Sequence, residues 1–216
     1  MAEFIIHGVP GSPFLRAAHM TLEEKGADYE LRPLAPGGHR TEAYRALNPF
    51  MRIPVLQHGE ITVYETQAII RYLDGALAGA SLIPEDLLAS TRMTQLIGIN
   101  DWYLFPKVSA TIGFHRIVGP LLMGIPGDEA AIAAAVPDAE HILGVIAAFL
   151  GERDYLVGNQ LTLADLMIYP HLFMLLQTPE GRKIMSGAPL EVWVNRMTAR
   201  PSAIASQPPE ALRVSV

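Results

Sequence analysis

Ser12 is the residue of this sequence best placed to do chemistry. It precedes Pro13, at the point where a short apolar strand at residues 4–6 gives way to an amphipathic helix. A serine hydroxyl caps the free N–H groups of a first helical turn, and proline fits the first helical position. The same unpaired amides and the helix dipole favour a bound anion. The sequence therefore predicts a helix cap at Ser12, with an anion-binding hydroxyl as the functional alternative.

Four further polar residues stand where side chains are free to act. Glu65 and Thr66 open a later predicted helix, and their structural interpretation is an acidic first turn with a threonine cap. His39 and Arg40 lie in a glycine-rich loop, and their structural interpretation is a solvated surface. No residue next to Ser12 is suited to act as its base, which argues against a serine hydrolase.

The composition excludes several classes of function. The chain has 216 residues, half of them hydrophobic, which is enough for one domain or two small ones with a buried core. A formal net charge of −6 gives no basic surface for nucleic acid. The sequence has no cysteine, which excludes disulfides, zinc fingers, iron–sulfur clusters and thiol nucleophiles. Its seven histidines are scattered, so we expect no metal site.

The sequence also bears on where the protein resides. No uninterrupted apolar stretch approaches the roughly 20 residues that a membrane span needs. The N-terminus lacks the basic and apolar segments of a secretion signal. We therefore expect a cytoplasmic protein with no membrane association.

The elements that must position these residues begin with an α/β region. Strands are predicted at residues 3–7, 29–34, 53–57 and 61–64, and helices at 13–25, 42–47 and 66–77. His58-Gly59 is predicted as the hairpin turn between the last two strands. The order βαβαββα predicts a small mixed sheet covered by helices. A right-handed crossover makes the first two strands parallel, and the hairpin supplies an antiparallel pair.

Beyond residue 85 the strand pattern disappears. Helices are predicted at about 86–118, 128–150, 162–176, 181–186, 189–199 and 201–206. Pro137 predicts a kink or break in the second of them. The sequence therefore predicts an α/β domain at residues 1–78, a linker at 79–88 and an all-helical domain at 89–216.

Taken together, these motifs resemble the cytosolic glutathione transferase family, in particular its serine-type classes, phi-like with some theta and bacterial character. The resemblance covers nearly the whole chain. It rests on residues 7–12 (HGVPGS) with Arg16, His39-Arg40, 46–50 (ALNPF), 53–56 (IPVL), 64–73 (YETQAIIRYL) and 158–165 (GNQLTLAD). It implies a thioredoxin-like N-terminal domain that holds glutathione, an all-helical C-terminal domain that shapes a pocket for an electrophile, and a homodimer.

The resemblance assigns roles to residues around the γ-glutamyl and cysteinyl parts of glutathione. Ser12 would stabilise the thiolate rather than act as a nucleophile. Glu65 would pair with the γ-glutamyl ammonium, and Thr66 would bind the γ-glutamyl carboxylate. A cis peptide is predicted before Pro54, where it would turn the backbone of Ile53 toward the cysteinyl residue.

The resemblance implies that a cluster of basic residues binds the glycyl carboxylate of glutathione. His39 and Arg40 lie in the loop where the family clamps this group. Arg52 stands where phi-type sequences usually carry glutamine, and Met51 where they usually have glycine. Arg52 is expected either to reach a ligand carboxylate or to cover a dimer surface.

The free energy needed to ionise the thiol of glutathione is consistent with the role given to Ser12. A free thiol with a pKa of about 8.5 is only a few per cent thiolate at neutral pH. Lowering that pKa by about two units requires roughly 2.7 kcal/mol of preferential stabilisation of the anion. An exposed helix terminus supplies about 0.3–1 kcal/mol, and a hydrogen bond to a charged group about 1.5–3 kcal/mol. A hydroxyl at a helix N-terminus therefore combines two effects that are sufficient only together.

The electrophile pocket is defined least by the sequence. The residues expected to touch it are Val9, Pro10, Trp102, Phe105, Phe114 and His115. Aromatic residues at helical spacing are more often core than pocket, so a core role stays open for them. The function predicted is a glutathione transferase acting on hydrophobic electrophiles in detoxification, with glutathione-dependent peroxide reduction as a further activity. The alternative is a non-catalytic module of the same fold that binds ligands or proteins.

One motif of the helical region has a structural interpretation. Thr162 and Asp165 have the spacing of a capping box, with the acid reaching back to the helix start. We expect replacement of Asp165 to damage folding more than binding.

Overall fold

The computed structural model describes residues 3–35 and 37–213. The chain forms two compact units. The first contains the chain up to Leu82 together with Pro201–Pro208, and the second contains Ile83–Arg200 and the residues from Pro209 onward. The sequence by itself groups everything after residue 88 with the helical region, so the place of Pro201–Pro208 is decided by packing.

The first unit contains a four-stranded mixed sheet. Its strands are β1 (Phe4–Gly8), β2 (Tyr29–Pro33), β3 (Val55–His58) and β4 (Ile61–Tyr64), in the spatial order β2-β1-β3-β4. β1 is parallel to β2 and antiparallel to β3, and β3 is antiparallel to β4. These pairings confirm the thioredoxin-like order that the sequence predicts.

The hairpin between β3 and β4 turns one residue later than predicted. His58 still pairs with Ile61, so the turn consists of Gly59 and Glu60. Gly59 has a φ of 56°, a left-handed conformation that glycine adopts without steric cost.

Helices complete the described part of the first unit. They are α1 (Pro13–Glu24), a 3₁₀ turn (Gly38–Arg40), α2 (Glu42–Arg45), α3 (Thr66–Ala76) and, from the far end of the chain, the short segment Pro201–Ala205. α1 and α3 pack against each other and against the sheet. The core between them is fully buried and apolar; it includes Phe4, Ile6, Leu22, Leu56, Ile69, Ile70 and Leu73. The segment Pro201–Ala205 packs on α1, where Arg16 donates to the carbonyl of Ala203 at 3.1 Å.

A buried ion pair ties the end of α3 to α1. Lys25 Nζ lies 3.1 Å from Asp74 Oδ1, and both side chains are almost fully buried. Asp74 also accepts from the backbone N–H of Leu82 at 2.8 Å and from the hydroxyl of Ser81 at 3.1 Å. Each carboxylate oxygen therefore has a donor, which is the condition under which a buried charge is tolerated.

The second unit is helical. Its elements are α4 (Leu87–Ile99), a π-helical segment (Asn100–Met123), α5 (Glu129–Leu150), α6 (Leu163–Leu176), α7 (Pro179–Met185), α8 (Pro189–Thr198) and a 3₁₀ turn at Glu210–Leu212. From here on, the segment Pro201–Ala205 of the first unit is called α9. The boundaries agree with the predicted helices to within a few residues. α4 includes Leu87 and Leu88, which the sequence assigns to the linker, because Asp86 caps it by accepting from the N–H of Ala89 at 2.8 Å.

Prolines lie inside helical segments of the second unit, and one of them, Pro137, departs from the sequence expectation. α4 continues without interruption into the π-helical segment, which contains Pro106 and Pro120, and neither proline can donate a helical hydrogen bond. α5 is a single helix across Pro137, so the predicted break is wrong. α5 packs against the π-helical segment and α8 through residues such as Ile142 and Ile146, and this burial outweighs the one lost hydrogen bond.

α5 also bears on the membrane expectation. Among the described residues, the 22 residues of Glu129–Leu150 form one helix that is long and apolar enough to cross a membrane, judged by length and composition alone. The helix contains Asp138, Glu140 and His141, so it is not an uninterrupted apolar stretch, and the sequence expectation is not contradicted. A core helix meets the same criterion, and α5 buries seven side chains against its own unit.

Asp165 is the polar centre of the second unit. Its side chain is fully buried, and its carboxylate accepts from the backbone N–H groups of Leu156 and Thr162, both at 2.9 Å. The Thr162 hydroxyl donates to it at 2.9 Å and the Trp193 indole at 3.3 Å. The predicted capping box at the start of α6 is confirmed. Burial raises the pKa of Asp165 to about 6, against the opposing effect of these donors.

Replacing Asp165 tests this structural role. We expect Asp165→Ala to lower the free energy of unfolding by about 3–5 kcal/mol, because it leaves several buried donors without an acceptor. The measurement is urea unfolding followed by circular dichroism. Asp154→Ala is the matched control, since Asp154 is 70 % exposed and pairs with Arg196 at the surface, and it should cost less than about 1 kcal/mol. Equal costs for the two variants would contradict the role of Asp165.

A second buried polar contact joins α6 to the π-helical segment. His171 and Ser109 are both buried, and Ser109 Oγ lies 3.0 Å from His171 Nδ1. The ring of Phe105 packs edge-on against His171, with centroids 6.0 Å apart. Burial lowers the pKa of His171 to about 3, so the ring is neutral in the folded protein at neutral pH.

This histidine predicts a pH dependence of stability. The unfolded chain takes up a proton near pH 6.5 while folded His171 does not, so the contribution is complete above that pH and declines as the pH falls toward 3. Between pH 7 and pH 5 we expect His171 to account for a loss of about 2 kcal/mol. His171→Asn retains a polar atom for Ser109 and should remove this loss from the pH profile of urea unfolding. His141→Asn, at an exposed histidine of α5, should leave the profile as in the wild type. A wild-type slope in His171→Asn would contradict the assignment.

Candidate functional site

The register of the sheet brings four connections to one of its ends. His7 of β1 pairs with Val55 of β3, and Val55 pairs with Tyr64 of β4. Gly8, the last residue of β1, pairs with Pro33, the last residue of β2. The chain therefore leaves β1, β2 and β4, and enters β3, at the same end of the sheet. All the glutathione-site residues that the sequence predicts lie in these four connections.

Ser12 lies between β1 and α1 as the N-cap of α1. Its backbone is extended, and its hydroxyl accepts from the N–H of Leu15 at a long distance of 3.4 Å. Its own N–H donates to the carbonyl of Val9 at 3.0 Å, which closes the turn. Ser12 is half-buried, as are Val9 and Pro10. The predicted cap is confirmed, and its long hydrogen bond leaves the hydroxyl hydrogen available to an anion at the helix N-terminus.

Gly8 explains why this turn lies so close to α1. A Cβ at this position would meet Leu15 Cδ1 at 2.8 Å, closer than two carbons approach. Glycine therefore lets the end of β1 lie against the Leu15 side chain of the first turn of α1 without displacing that side chain.

The connection into β3 is held from behind by two residues whose role the sequence does not reveal. Asn48 is fully buried; its amide donates to the carbonyl of Arg52 at 2.9 Å, and its oxygen accepts from the N–H of Phe50 at 3.0 Å. Tyr44 donates to the same Arg52 carbonyl at 3.0 Å. An asparagine before a proline is a turn signal that points to such local bonds, whereas the tyrosine contact leaves no trace in the sequence.

The Ile53–Pro54 peptide is cis, as predicted. Pro54 is buried and precedes the first residue of β3, Val55, whereas the sequence places the strand start two residues earlier. Met51 has a φ of 51°, in the left-handed region that glycine prefers, which accounts for the glycine usual at this position in the phi pattern.

Glu65 and Thr66 follow β4 at the start of α3, but the predicted threonine cap is wrong. Glu65 occupies the cap position with a φ of 69°, and Thr66 is the first residue of the helix. The Glu65 side chain makes no capping hydrogen bond at the start of α3. The first amides of α3 therefore point outward beside a buried Thr66 and an exposed Glu65. Backbone strain in a residue such as Glu65 is characteristic of ligand-binding positions.

His39, Arg40 and Arg52 form a positively charged cluster. Burial lowers the pKa of His39, and the nearby guanidinium groups of Arg40 and Arg52 lower it further. His39 Nδ1 is buried without a hydrogen-bond partner among the described residues. Within the same described part of the chain, neither arginine forms an ion pair, and both are exposed. This cluster is suited to bind a carboxylate.

The aromatic residues predicted for the electrophile belong to the second unit. Trp102 is 78 % exposed. Phe105 is half-buried against His171, as described above. Phe114 packs edge-on against His115, with centroids 5.2 Å apart, and His115 Nδ1 accepts from the N–H of Asp128 at 3.3 Å. Each of these three half-buried rings thus has a packing partner within its own unit, while Trp102 presents its face to solvent.

Neither unit offers a metal site in its described part. Residues 3–35 and 37–213 contain no group of three or more histidine or acidic side chains that is able to hold a metal ion. The site of the first unit therefore consists of a capping hydroxyl, free helix amides, one carboxylate and three basic side chains.

Comparisons with known proteins identify the family of this chain. A family model described as the glutathione S-transferase N-terminal domain matches residues 6–81, and one for the C-terminal domain matches residues 102–201. Glutathione S-transferase 3 of Zea mays is 31 % identical over 94 % of this chain and 92 % of its own length. Glutathione transferase F7 of Populus trichocarpa has a TM-score of 0.85 at 28 % identity, covering 94 % of this chain and 97 % of that one.

One similar structure carries a ligand. Glutathione S-transferase-I bound with lactoylglutathione has a TM-score of 0.83 at 25 % identity, covering 95 % of this chain and 98 % of that one. The similar curated proteins include plant proteins from Zea mays, Hyoscyamus muticus and Triticum aestivum, so the phi-like part of the resemblance is supported and a bacterial character is not.

Asn48 gives the site a testable support. We expect Asn48→Ala to lower the free energy of unfolding by about 2–3 kcal/mol, because it empties a buried position and leaves the Phe50 N–H without its acceptor. Hydrogen exchange at the amides of residues 50–53 should accelerate as well. Asn195→Ala, at an exposed asparagine of α8, is the control and should cost less than about 0.5 kcal/mol. Unchanged exchange at residues 50–53 would show that Asn48 does not hold this segment.

Proposed function

Because this chain belongs to the glutathione S-transferase family and uses glutathione as its co-substrate, we propose that Ser12 is the residue that stabilises the glutathione thiolate. The protein is a glutathione transferase, and the reaction is transfer of an organic group to the sulfur. The observation that carries the role of Ser12 is its position as N-cap of α1, with a weakly engaged hydroxyl.

The chemistry assigned to Ser12 follows from two effects acting at one point. The hydroxyl donates a hydrogen bond to the sulfur anion, and the amide end of α1 contributes a favourable potential. The 3.4 Å contact to the N–H of Leu15 uses a lone pair of Oγ, so the hydroxyl hydrogen remains available. Raising the thiolate population and holding the sulfur beside an electrophile together account for catalysis.

Residues in the connection after β4 and in the connection into β3 bind the γ-glutamyl and cysteinyl parts of glutathione. Glu65 pairs with the ammonium, and the Thr66 hydroxyl with the free amides of α3 receives the carboxylate; the uncapped N-terminus of α3 supports this role. The backbone of Ile53, next to Pro54, pairs with the cysteinyl backbone. The origin of these connections at one end of the sheet supports a single extended ligand across them.

The glycyl carboxylate is bound by His39, Arg40 and Arg52. Support comes from the positive cluster that these residues form and from the lack of an ion-pair partner for either arginine among the described residues. We thereby assign Arg52 to the ligand rather than to a dimer surface.

The second substrate and the assembly complete the proposal. A hydrophobic electrophile contacts residues that the sequence identifies, namely Val9, Pro10, Trp102, Phe105, Phe114 and His115. The protein acts in detoxification as a serine-type enzyme in the cytoplasm, where glutathione is kept reduced. It assembles as a homodimer; the exposed apolar side chains of Phe50, Leu87 and Leu88 support a protein–protein contact.

Ultraviolet titration of bound glutathione tests the role of Ser12. In the wild type we expect thiolate absorbance to appear with an apparent pKa about two units below the free value of about 8.5, whereas Ser12→Ala should return it to within about half a unit of that value. Ser12→Thr keeps both hydroxyl and cap and should retain most of the shift. Because Ser12→Ala also removes a cap, its melting temperature is measured alongside. A wild-type titration that matches free glutathione would overturn the proposal.

A further inference from the structure

The positive cluster at the glycyl end carries more charge than glutathione needs. Residues 38–53 contain three arginines and one glutamate, in a chain whose formal net charge is −6. The glutamate, Glu42, lies 3.6 Å from Arg45 and so is already engaged. Arg40 and Arg52 remain, and a glycyl group offers them a single carboxylate.

Among the described residues, neither of these two arginines forms an ion pair with an acid. Burial lowers the pKa of His39, and the charges of Arg40 and Arg52 lower it further, so both guanidinium groups act on this imidazole. His39 Nδ1 is buried and has no hydrogen-bond partner among residues 3–35 and 37–213. A ring nitrogen and two guanidinium groups thus present several donors to a ligand with one acceptor group.

Arg52 is held in place by its backbone rather than by its side chain. Its carbonyl accepts from Asn48 at 2.9 Å and from Tyr44 at 3.0 Å, while its guanidinium is exposed. The start of the side chain is therefore fixed and its charged end is free to reach a ligand. A glutamine at this position, as in the phi pattern, offers a neutral amide, so Arg52 adds a full charge that pairs bidentately with a carboxylate.

We propose that Arg52 makes this site selective for γ-glutamyl-cysteinyl peptides whose third residue carries a second carboxylate. In such a peptide the α-carboxylate meets His39 and Arg40, and the side-chain carboxylate meets Arg52. This inference rests on the proposed glutathione site and extends its substrate class from a glycyl peptide to an acidic one. The transferred group and the sulfur chemistry are the same for both.

Three peptides and three variants test the selectivity. The peptides are glutathione, γ-glutamyl-cysteinyl-glutamate and its neutral isostere γ-glutamyl-cysteinyl-glutamine. Dissociation constants are measured by calorimetry, which does not depend on turnover, and kcat/KM is measured with a halogenated aromatic. We expect the wild type to bind the glutamate peptide about three- to fivefold more tightly than the glutamine peptide, the range of an exposed charge pair. The preference should disappear as the salt concentration rises from 0.01 M to 1 M, where the Debye length falls from about 30 Å to about 3 Å.

The variants separate charge from structure. Arg52→Gln should bring the ratio of the two dissociation constants close to one. Because Arg52 also contacts the glycyl carboxylate in the proposed site, the variant should weaken glutathione and the glutamine peptide by similar factors. Arg52→Lys keeps the charge and should retain a preference. Arg45→Gln is the matched control, since Arg45 is exposed and engaged by Glu42, and it should keep the wild-type ratio. Both substituted residues, Arg45 and Arg52, are exposed, so folding is checked by melting temperature only.

The outcomes distinguish this inference from the function on which it rests. If glutathione and the glutamine peptide bind and react but the glutamate peptide has no advantage, the selectivity is wrong and the transferase site stands. A preference that persists unchanged in Arg52→Gln overturns the role of Arg52. If none of the three peptides binds to the wild type, both the proposed glutathione site and its selectivity are overturned.

Discussion

Backbone pairing across β1, β3 and β4 is the constraint on which the rest of the first unit depends. His7, Val55 and Tyr64 lie in one row of the sheet, so Ser12, Ile53 and Glu65 begin their connections at the same end. A slip of one residue in either pairing would turn every side chain of a strand to the other face. The buried apolar residues of β1 and β3 prevent that slip, because they must face α1 and α3. The hydrophobic core therefore fixes not only the stability of the unit but also the relative positions of the residues proposed to bind glutathione.

The site itself is assembled mainly from backbone groups and short polar side chains. The N-termini of α1 and α3 supply amides, Ser12 and Thr66 supply hydroxyls, and Asn48 holds the connection into β3 from the buried side. Charged side chains contribute at the end proposed for the glycyl group, where His39, Arg40 and Arg52 add positive charge to an acidic protein. In the proposed binding mode, backbone groups and short side chains hold the reacting sulfur and its peptide, and these charged groups meet the end of the ligand that lies outside the chemistry.

The second unit differs from the first in that it buries polar groups in a large apolar core. Asp165 gathers four donors around one carboxylate, and this arrangement joins the start of α6 to Trp193 of α8. His171 and Ser109 join the middle of α6 to the π-helical segment. A buried group with all its partners is tolerated, whereas losing one partner is costly, so these contacts restrict how the helices pack. α6 is buried over almost its whole length, which explains why its position is fixed by such contacts rather than by one apolar face.

The sequence by itself determined the features that depend on neighbouring residues: the order of strands and helices, the cap at Ser12, the capping box at Asp165 and the proline that precedes β3. Each follows from side-chain chemistry within a few positions. Tertiary structure alone decided the rest. Glu65 takes the cap position of α3 in place of Thr66, α5 continues through Pro137, and Pro201–Pro208 joins the first unit. Tyr44 reaches the carbonyl of Arg52, eight residues away. These outcomes depend on burial and on contacts between distant elements, whose free energy exceeds local preference and leaves no periodic pattern in the chain.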